Sequence, residues 1–171
     1  MTKPAQTAPA RTGIDPRGPR FSAGITAVLL LAVIALSLPT AATPDEARFY
    51  DRGFILLVVL SALFAWGAFA GIARHPYGLL YKKYVRPRLA APTELEDPAP
   101  PTFAQGVGFV VTLAGIVLHL AGVPYALVIA ASAAFIAAFL NSVFGYCIGC
   151  QLYLLLVRAG LIRPDRGARA A

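Results

Sequence analysis

The sequence predicts an all-α integral membrane protein with four transmembrane helices arranged as two tandem hairpins. Three observations predict it. First, 58% of the 171 residues are hydrophobic and only 13% are charged, with a mean hydropathy of +0.68. An ordinary soluble domain is about 45–50% apolar and about 25% charged. A chain this apolar cannot be a soluble enzyme domain or a disordered protein. Second, the apolar residues fall into four runs, each near the ~20 residues needed to cross ~30 Å of hydrocarbon as a helix. Third, the chain repeats itself. Asp15 to Leu38 and Asp97 to Leu120 match at 11 of 24 positions, 82 residues apart and without a gap.

Residues 1–20 read as a flexible basic tail with Lys3, Arg11, Arg17 and Arg20. The first span covers 21–39 and is followed by a polar loop bearing Asp45, Glu46 and Asp51. The second span covers 53–72. A long loop, 73–102, carries the basic-aromatic run around Tyr81, Lys82, Lys83, Tyr84, Arg86 and Arg88, then the acidic Glu94 to Asp97. Such a basic-aromatic run suits anionic headgroups. The third span covers 103–121 and the fourth 123–144, joined by the turn Gly122-Val123-Pro124. In lipid each span must be a helix, because hydrocarbon offers no partner for a free backbone group. The apolar stretch 145–162 has three readings: an extension of the fourth helix kinked at Gly145, a short interfacial helix, or a fifth span. Residues 161–171 form a second basic tail.

Charge sets the topology. With four spans, one side receives thirteen Lys and Arg and the other two; a fifth span would give nine against six. The positive-inside rule therefore favours four spans in the plasma membrane, with both termini cytoplasmic. The net charge of +7 belongs to this asymmetry, and no nucleic-acid partner is expected. Cleavage of the first span as a signal peptide is disfavoured. Its apolar run is long for that purpose, and the repeat ties it to the rest of the domain.

The repeat carries more than membrane composition. Its two copies share the lead-in D-P-x-x-P-x-F-x-x-G, and parallel repeats are a common way to build membrane bundles. A second alignment, offset by 72, sets L-Y-x-x-x-V-R at Leu80 to Arg86 on Leu152 to Arg158. It puts His75 on Cys147 and Gly78 on Cys150, at one membrane depth. A histidine there would stabilise the Cys147 thiolate or take its proton.

Cys147 and Cys150 are the only cysteines, in the motif Cys-Ile-Gly-Cys. C-x-x-C forms a dithiol/disulfide couple when the sulfurs meet at a helix start. If the helix breaks at Gly145 and resumes, Cys147 stands at a helix N-terminus, where the dipole lowers its pKa. If it continues, Cys147, Gln151 and Arg158 share one stripe. Plain packing of small buried cysteines is the competing reading. A closed zinc site needs four ligands. His75 and His119 are the only other soft ligands and His119 lies at the far end of its span, so neither metal nor cofactor is expected. The spans hold no Asp, Glu, Lys or Arg, which argues against ion pumps and proton-coupled transporters.

Several stretches together carry a family resemblance: P-R-F-S at the first span, H-P-Y-G-L-L-Y and V-R-P-R-L in the loop, E-D-P-A-P-P-T-F-A-Q-G-V-G before the third span, and F-G-Y-C-I-G-C-Q-L-Y near the end. Over about residues 15–160 the chain resembles the bacterial, largely actinobacterial membrane family catalogued as domain of unknown function 4395. That family has no settled activity. Its members tend to stand beside thioredoxin-like or sulfurtransferase genes, so the resemblance implies such a partner and makes Cys147 and Cys150 thiol-relay candidates. Two function classes follow: a membrane thiol-disulfide or persulfide relay with Cys147, Cys150 and His75 as its residues, and a non-catalytic membrane anchor or scaffold. Small-solute transport is a third.

Overall fold

The protein is described here as a computed structural model, which places residues 13–42 and 49–162. Six helices organise it: α1 (Arg17–Ser37), α2 (Arg52–Ala70), α3 (Pro76–Leu80), α4 (Ala99–Leu120), α5 (Ala126–Phe144) and α6 (Ile148–Arg158). Four of them, α1, α2, α4 and α5, are long and apolar enough to cross a membrane. The expected residues Asp45, Glu46, Lys3, Arg11, Arg48, Arg163, Arg166 and Arg169 lie outside the described residues.

Two of the spanning helices begin four residues ahead of the apolar runs that announced them, for a local reason. The Asp15 carboxylate accepts the Arg17 N–H at 3.0 Å and the Asp97 carboxylate accepts the Ala99 N–H at 2.8 Å. Proline follows each aspartate and suits a helix start, where the missing N–H would have had no partner. Each carboxylate therefore nucleates a turn before hydrophobicity takes over. Asp51 starts α2 in the usual capping way, its side chain accepting the Phe54 N–H at 2.9 Å. At the other ends Gly71 and Gly145 stop α2 and α5 with φ of 79° and 68°. Val123, Pro124 and Tyr125 fold into the turn before α5, so that helix starts at Ala126 rather than at 123. Tyr125 donates its N–H to Ala41 O at 2.8 Å, tying the far-end loops together.

The helices form two antiparallel hairpins, α1–α2 and α4–α5. Across them α1 packs mainly on α5 and α2 mainly on α4. The centre is an apolar cluster of Leu30, Val33, Leu57, Leu60, Ile116, Leu127, Ala131 and Ala134. Small residues let backbones approach: a Cβ at Gly115 would collide with that of Ala130. Close approach through small residues is how membrane helices gain packing where lipid competes equally for apolar surface. Polar side chains in the bundle return to the backbone, Thr26 Oγ to Ser22 O at 3.0 Å and the fully buried Thr112 Oγ to Gly108 O at 2.9 Å. That leaves them satisfied in a medium without water. The outward faces are apolar, with Val28 69% and Ile129 65% exposed, as a hydrocarbon environment requires.

Two expectations are corrected. The connection 73–102 is not simply a loop. Pro76 and the capping His75 start α3, which continues through a π-helical turn, Tyr81–Val85, and a 3₁₀ turn, Arg86–Arg88. Of the readings of 145–162, a short separate helix is the one observed; it is neither a continuation of the fourth span nor a fifth one. The chain breaks at Gly145 and resumes as α6, whose eleven residues reach about 17 Å at 1.5 Å each, short of the ~30 Å hydrocarbon.

Candidate dithiol site

The site lies at the bundle end where α1 and α4 begin and α2 and α5 finish. After Phe144 the chain turns at Gly145, whose N–H bonds Asn141 O at 3.1 Å while Tyr146 N–H reaches Leu140 O at 3.2 Å. A left-handed residue at this point is what a glycine supplies at no steric cost. Arg20, from the first turn of α1, lays its guanidinium against Gly145. Cys147 then takes an extended conformation, φ −92° and ψ 103°, as the N-cap of α6.

Its sulfur does the capping. Cys147 Sγ accepts the Cys150 N–H at 3.3 Å, and Cys147 O accepts the first helical bond, from Gln151 N–H at 3.0 Å. Gly149, between the two cysteines, docks α6 on α4: a Cβ there would stand 2.5 Å from that of Ala104. One turn on, Tyr153 meets Phe103 with ring centroids 5.6 Å apart. Both cysteines are free and half-buried.

This arrangement separates the two thiols. The Cys150 S–H donates to Cys147, and the Cys150 and Gly149 amides point at the same sulfur; together they outweigh burial and lower the Cys147 pKa to about 7. Cys150 is pushed far above an ordinary thiol, because it is the donor to Cys147 and is itself buried. The Glu96 carboxylate disfavours the charged form of both. The geometry therefore yields one nucleophilic sulfur and one protonated neighbour.

His75 is placed differently. It is the N-cap of α3, with its Nδ1 accepting the Tyr77 N–H at 3.3 Å. Its Nε2 faces Leu63 O at 3.2 Å and must donate to it, which fixes the tautomer. The ring is buried, only 5% exposed, and burial holds its pKa below the usual value. Both nitrogens are thus engaged by α2 and α3, and neither cysteine is among their partners. His75 and Cys147 do share a role: each is an extended residue just past a spanning helix whose side chain caps the next helix.

Sequence reasoning missed three contributors. Asp15 collects Arg17 Nε and Nη2, both at 2.9 Å, and the Tyr81 hydroxyl at 3.0 Å. The Arg17 bond holds its carboxyl below the usual range. This cluster pins the π-helical turn to the start of α1, leaving Lys82, Lys83, Arg86 and Arg88 exposed. Arg20 and Glu96 are the other two. The shared lead-in was the signal available, since Asp15 and Arg20 stand within it and Glu96 just before its second copy. Among the described residues no group of three or more His, Cys, Asp or Glu is placed to hold a metal ion.

A bundle of four membrane-length apolar helices with a capping dithiol at one end defines a multi-pass helical membrane protein. The chain belongs to the family described as Domain of unknown function (DUF4395), which matches residues 14–158. That match takes in all six helices and both cysteines. No curated protein and no solved structure matches the chain.

Proposed function

We propose that the protein is a membrane thiol-disulfide or persulfide relay in which Cys147 is the attacking sulfur and Cys150 the resolving one. The observation that carries this reading is the Cys147 cap, whose sulfur receives the Cys150 N–H at 3.3 Å and whose pKa falls to about 7. Only the thiolate is nucleophilic, and a pKa near ambient pH is the optimum for exchange. The partner class that fits is a soluble thioredoxin-like or sulfurtransferase protein, which presents a disulfide or persulfide of its own.

The relay works at the cytoplasmic face of the plasma membrane, with both termini on that side. Charge supports this orientation. Arg17, Arg20, Arg74, Lys82, Lys83, Arg86, Arg88 and Arg158 all belong to the dithiol end, against Arg52 at the other among the described residues. The two hairpins are a tandem repeat related by a pseudo-two-fold axis. Four pairs of contacts support that reading. Ile14 and Glu96, 82 residues apart, bond each other reciprocally at 2.9 Å. Asp15 and Asp97 each cap the N–H two residues on. Phe21 meets the Tyr81 ring at a tilt, as Phe103 meets that of Tyr153. His75 and Cys147 cap α3 and α6.

The competing reading is a membrane anchor whose cysteine only caps α6, and the cap itself favours it, since a helix start gains from any acceptor there. Maleimide mass-tagging of the pair in intact cells, with and without reductant, separates the two. The relay predicts an oxidised fraction that changes with the redox load and disappears in Cys150→Ser. A pair that stays fully reduced under every load leaves only the anchor.

A further inference from the structure

We propose that the segment from Leu79 to Arg88 is a docking site for anionic phospholipid, with its cations on the headgroup phosphates and its exposed apolar side chains among the upper acyl chains. This role is separate from the relay. Contacts on both sides fix the depth of the segment. His75, just before α3, reaches Leu63 O of α2 at 3.2 Å. Tyr81 is buried, its ring packed on Gly18 with its centre 5.7 Å from that of Phe21, and its hydroxyl donates to Asp15 at 3.0 Å. Asp15, Gly18 and Phe21 belong to the entry and opening turns of the spanning helix α1. Arg17, held by the same aspartate, donates to Ala90 O at 3.0 Å. The segment is thus strapped to the bundle at three points, level with the start of the apolar run of α1. That is the depth at which hydrocarbon gives way to headgroups.

Between the straps the side chains turn outward. Leu79, Leu80 and Tyr84 are between 42% and 54% exposed, and Lys82, Lys83, Arg86 and Arg88 are exposed beside them. Lys82 Nζ rests on Ala73 O at 3.5 Å, Lys83 Nζ lies 5.2 Å from the centre of the Tyr84 ring, and Arg88 donates to Tyr84 O. Among the described residues none of the four cations meets a carboxylate. The nearby Asp15 is committed to Arg17 and Tyr81. Four uncompensated charges held beside exposed apolar side chains fit an anionic bilayer surface. The phosphates supply the negative charge and the acyl chains supply the apolar cover. Long Lys and Arg stems can lie along that apolar surface while their heads stay at the phosphates. An acidic protein face would supply the charge alone.

The other half of the chain shows that such a segment docks without these charges. In the alignment offset by 72, Leu154, Leu155 and Leu156 of α6 stand where Lys82, Lys83 and Tyr84 stand. The docking aromatic is the same in both, Tyr81 on Phe21 and Tyr153 on Phe103. The outward residues are what differ, and Leu154 and Leu155 are exposed in their turn. The cations at 82 and 83 therefore serve something outside the fold. Each Lys or Arg near an anionic surface is worth about a fivefold preference, and salt weakens it within a Debye length of about 10 Å at 0.1 M.

The test places the full-length protein in nanodiscs of equal phosphatidylglycerol and phosphatidylcholine and releases it into a mass spectrometer. The ratio of the two lipids retained by the protein is the readout. Wild type should retain phosphatidylglycerol in excess. Lys82→Gln, Lys83→Gln, Arg86→Gln and Arg88→Gln together should lower the ratio about tenfold or more, and either pair alone should remove part of it. Lys82→Arg with Lys83→Arg should keep it. These side chains are exposed, so thermal unfolding in phosphatidylcholine alone should not move. Arg158→Gln, at the same end of the bundle but outside the strap, should lower the ratio less than either pair does. A ratio unchanged in the fourfold variant overturns the proposal and leaves the cations to an acidic face of a soluble protein. A fall in Arg158→Gln as large as in the fourfold variant overturns it too, because the preference would then follow total charge. Displacement of the retained lipid by millimolar glycerol 3-phosphate would make a free phosphoester the ligand and likewise overturn it.

Discussion

At the residue scale the two cysteines are chemically unlike although they are three positions apart. Cys147 gains two amides and a thiol donor by ending an extended segment, whereas Cys150 lies in the first turn of α6 and is itself that donor. Replacing Cys150 by Ala removes that donor, so the Cys147 pKa should rise from about 7 toward the ~8.5 of a free thiol. That rise cuts the thiolate fraction at pH 7 from about one half to about 3%, roughly sixteenfold. The alkylation rate of Cys147 against pH reads this directly, and a profile unchanged by Cys150→Ala would show that the amides alone set it. His75 supplies the contrast. Its ring is a cap with both nitrogens spent, so His75→Ala should cost about 1 kcal/mol of stability and leave the Cys147 profile in place. Thermal unfolding in detergent and the same alkylation series measure the two effects. The motif was legible in the sequence because C-x-x-C has a spacing with chemical meaning. The partners Arg20 and Glu96 were not, because a lone charge beside a span reads equally well as a solvated residue until its neighbours are known.

At the element scale the spans were readable and their boundaries were not. Hydropathy marks where lipid begins, but the starts of α1 and α4 are set by Asp15, Asp97 and the prolines after them. Those residues act through hydrogen bonds and a fixed φ rather than through apolar area. The 73–102 connection looked irregular because basic and aromatic residues hide a helical stretch whose stability comes from outside it, through the Tyr81 hydroxyl on Asp15 and the Tyr81 ring near Phe21. Helix α6 depends on docking in the same way, since an eleven-residue helix is marginal alone. Gly149 is the contact that docks it. Gly149→Ala should push α6 off Ala104, cost about 1–3 kcal/mol as overpacking does, and raise the Cys147 pKa by disturbing its amide donors. Adding Ala104→Gly should restore both. A double-mutant cycle on unfolding midpoints and alkylation profiles checks the coupling, and additive effects would place the strain elsewhere.

At the scale of the whole molecule, the reciprocal Ile14–Glu96 pair ties together the segments that lead into α1 and α4, and each hairpin holds a short helix against its own first span. If the hairpins are equivalent, as proposed, their unequal chemistry makes a paired prediction. Phe21→Ala removes the ring that meets Tyr81 at 5.7 Å, and Phe103→Ala removes the one that meets Tyr153 at 5.6 Å. An aromatic pair contributes about 0.5–1.5 kcal/mol beyond its buried area, so the two variants should lose similar stability. Their chemical consequences should diverge. Phe103→Ala loosens α6 on α4, weakens the amide cap at Cys147 and slows its alkylation at neutral pH. Phe21→Ala loosens the segment carrying Lys82, Lys83, Arg86 and Arg88, which weakens binding to anionic vesicles through exposed charges but leaves Cys147 untouched. Alkylation kinetics and vesicle flotation, run on both variants beside thermal unfolding, make the comparison. If Phe21→Ala slows Cys147 as much as Phe103→Ala does, the halves act as one coupled unit, and the dithiol is sensed from across the bundle rather than built within its own hairpin.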